Sequence, residues 1–199
     1  MRKKSNPIKI IIVFVIFMVF CVGVFFYLSN RTDENVSTEN SKTTVTAVDE
    51  VLARNLDMNY PPSPKEVVKY YSEITRCFYG EKYTEDQLVE MADKSRVLFD
   101  DELYNNQTDA QYLQALKNEI VTYKEEDRVI SSFSVSSSID VDEYVYEGRE
   151  YAQLYCIYSI RTGTSISPIQ ERYILRKDSV GHWKILGFKK VDDMNASGE

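Results

Sequence analysis

At Arg128 the apolar pattern of this chain changes its period, and that change limits the kind of domain it can build. Downstream, Val129, Ser131, Phe133, Val135, Ser137, Ile139 and Val141 fall on one face of an extended chain. Ser132, Ser134, Ser136, Ser138 and Asp140 fall on the other. Side chains alternate with a period of two in a strand, so the segment reads as a half-buried strand rather than a serine-rich linker. Glu147-Gly148-Arg149 turns the chain into 151–161, apolar on both faces and therefore central. Two more strands, 169–177 and 182–191, follow the turns Thr162-Gly163-Thr164-Ser165 and Asp178-Ser179-Val180-Gly181. Four consecutive strands with short turns predict an antiparallel meander.

Upstream the period is that of a helix. Ser63-Pro64-Lys65-Glu66, Thr84-Glu85-Asp86-Gln87 and Thr108-Asp109-Ala110-Gln111 each place Ser or Thr three residues before Glu or Gln, a capping box. The first adds proline at the opening helical position. Val67, Tyr71, Ile74 and Phe78 then share one face of a first helix. Leu88, Met91, Ala92, Ser95, Leu98, Phe99 and Glu102 share one of a second, and Leu113, Leu116, Ile120 and Tyr123 one of a third. Gly80 and Asn105-Asn106 supply the stops. Helices followed by strands predict an α+β domain with the helices on one sheet face.

Residues 10–28 carry no charge and follow Arg2, Lys3, Lys4 and Lys9. At 1.5 Å per residue such a helix spans about 28 Å, the thickness of a bilayer core. The cations on its near side predict a cytoplasmic tail 1–9, a transmembrane helix 10–28 and an exported remainder. A cleaved signal peptide competes, although the apolar run is long and no A-x-A-like site follows Phe25-Phe26-Tyr27-Leu28. Bulky Phe20 before Cys21 argues against a lipoprotein. Residues 29–59 read as a polar linker with a short helix near 49–55, 60–192 as the domain, and 193–199 as a disordered tail.

All 31 acidic residues but only 20 of the 24 basic ones lie beyond residue 28, leaving the exported part at a formal −11. That charge argues against nucleic acid and against a basic membrane-binding patch. Cys77 and Cys156 are both exported, where they can form a disulfide or stay as buried thiols. With a single histidine and no CxxC spacing, no metal site is expected.

The order of elements, with the closing Gly181-His182-Trp183-Lys184-Ile185 and Gly187-Phe188, resembles the NTF2-like (SnoaL-like) superfamily. That resemblance implies a bent sheet wrapped round the first long helix, leaving a cone-shaped cavity. The expected fold is therefore a transmembrane helix, then three helices packed on a curved four-stranded antiparallel meander. Many such domains place a strand between their second and third helices, for which this chain has no room. Asn59-Tyr60-Pro61-Pro62-Ser63-Pro64-Lys65-Glu66-Val67-Val68 also looks like an uncharacterised family of membrane-anchored Gram-positive proteins, which implies no activity.

His182 sits at a turn and reads as solvent-exposed. Strand parity points Leu154, Cys156, Tyr158, Ile160, Tyr173, Leu175, Trp183 and Ile185 inward, an almost wholly apolar set. Tyr71, Tyr158, Tyr173 and Trp183 are the candidate pocket residues. Glu171 and Glu102 read as rim residues, exposed or ion-paired. With no triad, phosphate loop or paired carboxylates, no catalytic residue and no cofactor are expected. Tyr144, Tyr146, Tyr151, Tyr155 and Tyr158 crowd one hairpin, suited to cross-strand stacking or to docking a partner. The expectation is a non-catalytic binding domain, held by its membrane helix and engaging a protein partner in an envelope or secretion assembly. A small-molecule or glycan pocket is the alternative, and a cofactor-free isomerase or hydrolase-like enzyme the third. The layout resembles assembly factors of conjugation and type IV secretion channels.

Overall fold

The computed structural model describes residues 45–191. The segment 10–28, the tail 1–9, most of the linker and the tail 193–199 lie outside the described residues. Among those described, no helix is long and apolar enough to cross a membrane.

Each helix begins where a side-chain oxygen satisfies free amides of its first turn. In α1 (Ala47–Ala53) Thr46 and Asp49 form a reciprocal capping box. Ser63 caps α2 (Pro64–Gly80), with Pro64 at its start. Thr84 with Gln87 and Thr108 with Gln111 box the starts of α3 (Glu85–Val97) and α5 (Asp109–Glu125). Between them Asp100 caps the single turn α4 (Asp101–Tyr104).

Among the described residues five helices therefore stand where the sequence predicted three and a short one near 49–55. Val48, at 1% exposure, and Val51 sink into the core, and the Tyr70 hydroxyl donates to the Val51 carbonyl at 2.7 Å. Residues 47–56 thus belong to the domain rather than to a linker ending at 59. The helical face read through Glu102 breaks after Val97, because the chain there turns to the sheet. The Ile185 amide donates to the Leu98 carbonyl at 2.8 Å, and the Asp100 amide to the Ile185 carbonyl at 2.8 Å. Leu98, the C-cap of α3, and Phe99, bridged to Ile185, reach the core from this turn.

The sheet corrects the expected four-stranded meander: it has five antiparallel strands. These are β1 (Arg128–Val135), β2 (Asp142–Tyr146), β3 (Arg149–Thr162), β4 (Ser165–Lys177) and β5 (Trp183–Lys190). The order is β1-β3-β4-β5, and β2 also pairs with β3. β1 and β2 lie end to end along one edge of β3, Val135 opposite Cys156 and Asp142 opposite Gln153. What breaks the long alternation is Ser136, whose hydroxyl takes the Tyr155 amide at 3.0 Å in place of a ladder carbonyl. A 3-10 turn, Ser138–Asp140, follows, and Ile139 is left 91% exposed. Ser131 sits at a bulge, its hydroxyl on the Ser159 carbonyl at 2.9 Å.

One apolar cluster joins the layers. Leu154, Cys156, Tyr158, Ile160, Tyr173, Leu175, Trp183 and Ile185 meet Val67, Ile74, Cys77 and Phe78 of α2. Each large side chain so buried contributes roughly 1.5–3 kcal/mol. α2 runs so close to β1 that a Cβ on Gly80 would stand 2.9 Å from the Ile130 carbonyl oxygen. α4 is tied to β4 by Arg176. Its guanidinium donates to both carboxylate oxygens of Asp100 and, at 2.8 Å, to Glu102 Oε1.

Candidate functional site

Helical spacing and strand parity converge on one cavity of about 220 Å³ between α2, α5 and the inward sheet face. Tyr71, Thr75, Phe78 and Tyr79 recur three, four and eight residues apart, so they form one stripe of α2. Tyr112, Ala115, Leu116, Glu119 and Tyr123 do the same on α5. Tyr158 and Ile160 of β3, Ile169, Glu171 and Tyr173 of β4 and Phe188 of β5 close the sheet side.

The aromatic rings hold one another. Tyr173 stacks on Phe188 with centroids 5.4 Å apart, and Tyr71 lies 5.6 Å from Phe188 and edge-on to Tyr173 at 6.0 Å. On the α5 side Tyr79 and Tyr123 lie 4.4 Å apart. Such offset and edge contacts add about 0.5–1.5 kcal/mol each beyond burial, which keeps the walls rigid.

A chain of polar groups runs from the cavity into the core. The Tyr173 hydroxyl donates to Glu171 Oε2 at 2.7 Å. It lies 2.9 Å from the Tyr158 hydroxyl, which lies 2.7 Å from Ser72 Oγ, itself 3.4 Å from Cys156 Sγ. An ionised carboxylate only accepts, and each hydroxyl has one proton to give. Glu171 therefore sets the direction: Tyr158 donates to Tyr173, Ser72 to Tyr158, and the Cys156 thiol to Ser72. Burial raises the Glu171 carboxyl above its ordinary range; the Tyr173 bond opposes this and the Glu119 charge adds to it. Burial pushes Tyr158 and Tyr173 well up and Cys156 up, so they stay protonated as donors. Cys156 meets a hydroxyl rather than a base, and so lacks the partner that activates a thiol nucleophile.

Of the residues singled out in the sequence, Tyr71, Tyr158 and Tyr173 line this cavity. Trp183 does not: it is buried with Lys177 5.2 Å over its ring, and its carbonyl accepts from the Tyr60 hydroxyl at 2.9 Å. His182 stacks on Tyr60 with centroids 4.1 Å apart, away from the cavity. Glu171 is on the cavity wall, while Glu102 pairs with Arg176. Cys77 and Cys156 form no disulfide; both are free and buried. Cys156 lies against Ser72, and Cys77 is five residues further along α2, a different face and about 7.5 Å on. Sequence reading passed over Tyr79, Tyr112 and Glu119. Tyr79 lies eight residues from Tyr71 and Glu119 four from Tyr123, spacings that carry the signal. Among the described residues no three His, Cys, Asp or Glu side chains group into a possible metal site.

Fold and cavity define an α+β domain with an aromatic pocket that bears carboxylates. The chain belongs to the family described as a domain of unknown function (DUF6715), whose model matches residues 1–188. That span takes in the charge-free segment 10–28 as well as the sheet up to Phe188. No curated protein matches the chain.

Proposed function

We propose that this protein is a non-catalytic, membrane-tethered binding module whose pocket takes a small organic molecule. The observation that carries this reading is the cavity itself: rigid aromatic walls with a few convergent polar groups, the usual make-up of a small-ligand site. The polar chain behind it supplies oriented hydroxyls and no nucleophile–base pair, which favours binding over chemistry. Residues 10–28 behind four cations support attachment at the cytoplasmic membrane with the domain outside. The resemblance to NTF2-like domains fits a pocket in this position.

Ala115 gives the test, because it is exposed on α5 yet lines the cavity, so a larger side chain there fills space without entering the core. A panel of single-ring compounds is screened for a rise in thermal midpoint of the full-length chain. Hits should lose their effect in Ala115→Trp while the unliganded midpoint holds. Hits that survive in Ala115→Trp would place binding elsewhere.

A protein partner is the second reading, favoured by the β2 edge, where Val145 and Tyr146 are 70% and 60% exposed. Exposed aromatic and apolar side chains of this kind serve as anchors in interfaces.

A further inference from the structure

The lining of the pocket is one-sided in charge. Glu119 and Glu171 are its ionisable acids, and the rest of its lining includes no Lys, Arg or His. Among the described residues neither carboxylate forms an ion pair with a side chain of the protein. Arg128, a cation that feels the Glu119 charge, is already paired with Glu126 at 2.8 Å and lies over the Tyr123 ring. Glu171, on the cavity wall, accepts from Tyr173 through Oε2. Tyr71 lines the same cavity at 8% exposure, and its hydroxyl has no hydrogen-bond partner among the described residues.

Resting on the small-ligand reading above, we propose that the ligand is an organic cation: an ammonium or quaternary ammonium group carried on one ring or a short apolar body. A partly buried carboxylate without a counter-ion is a standing cost that a bound cation removes. Ring faces attract the same charge, by about 0.5–2 kcal/mol per contact once water is displaced. An anion would meet two like charges. Volume limits the body, since an apolar cavity of about 150 Å³ accepts benzene and this one offers about 220 Å³. The acidity of the exported part, formally −11, raises the local concentration of cations over anions.

The test uses the full-length chain in lipid nanodiscs and calorimetric titration with phenethylammonium, benzyltrimethylammonium, neutral 2-phenylethanol and anionic 3-phenylpropionate. Both cations should bind at least tenfold more tightly than the alcohol, and the carboxylate should not bind. Glu171→Gln, which keeps an acceptor for Tyr173, should cut cation affinity at least tenfold and leave the alcohol unchanged. Glu119→Gln, at an exposed helical position, should cut it severalfold and serves if the first variant folds poorly. If the alcohol matches the cations and neither variant matters, the charge inference falls while the small-ligand pocket stands. If none of the four binds, both fall.

Discussion

Arg176 and Asp100, 76 residues apart in sequence, meet as fork on fork, with Nε 3.0 Å from Oδ2 and the other arm on Oδ1. Both are nearly buried, at 9% and 5% exposure, and Asp100 also caps α4. Removing one partner of such a pair leaves a buried charge. Asp100→Ala should therefore cost about 3–5 kcal/mol by urea denaturation. The double change Asp100→Leu, Arg176→Met should cost less than the single one. A single-variant loss under about 1 kcal/mol would show the pair to be solvated.

Trp183 is buried beneath Lys177 and outside the cavity. Trp183→Ala should lower stability by about 3–5 kcal/mol. Ligand affinity, measured where the variant is still folded, should stay within a factor of two.

Gly80 ends α2 against the backbone of β1. Alanine is the better helix former by about 1 kcal/mol, which would favour Gly80→Ala on propensity alone. Its Cβ would meet the Ile130 carbonyl oxygen at 2.9 Å, and neither backbone can give way freely. The variant should lose about 1–3 kcal/mol of stability. A gain would show that the two elements can part.

Burial pushes the Cys77 thiol up to about 11 and the Cys156 thiol up as well. In a Cys21→Ala background, both thiols should react slowly with a thiol reagent in buffer and at once in urea. Reducing agent should leave the thermal midpoint unchanged, because no disulfide is present to break.

Glu171 gives the stability a pH dependence of defined sign. Its carboxyl is raised in the folded state, chiefly by burial, so the native protein holds that proton longer than the unfolded chain does. The contribution is complete below the unfolded carboxylate range and is lost as pH rises through the folded value. Glu73 is raised too, again chiefly by burial, and acts in the same direction. The informative quantity is therefore the difference between wild type and Glu171→Gln. The variant should gain stability relative to wild type as pH rises from 4 to 7, and a flat difference would refute the assignment.

Helix starts were legible because capping is local: Ser63, Thr84 and Thr108 all cap their helices, although only Thr84 with Gln87 and Thr108 with Gln111 complete the reciprocal box that the pattern predicts. Element ends were not, because they are decided at a distance. The stretch from Leu98 leaves its helix to bond Ile185, and Ser136 ends a strand through its own hydroxyl on Tyr155. The same division holds for the cavity. Strand parity found Tyr158 and Tyr173, but the α5 wall depends on which helical stripe faces the sheet, and the spacing of Glu119 from Tyr123 marks a stripe without saying which way it turns. Trp183 was misplaced because an inward-pointing ring can fill the core without reaching a cavity.

The short bridge from Leu98–Asp100 to Ile185 bears on how copies of this domain can live side by side. β5 closes one side of the sheet, and a bare strand there would invite the next molecule to add to it. Its Ile185 amide and carbonyl are already taken, the Trp183 carbonyl is held by Tyr60, and Leu186 bulges out of register. Crowded molecules then find the Ile185 end of this border already occupied, and cannot zip onto it there.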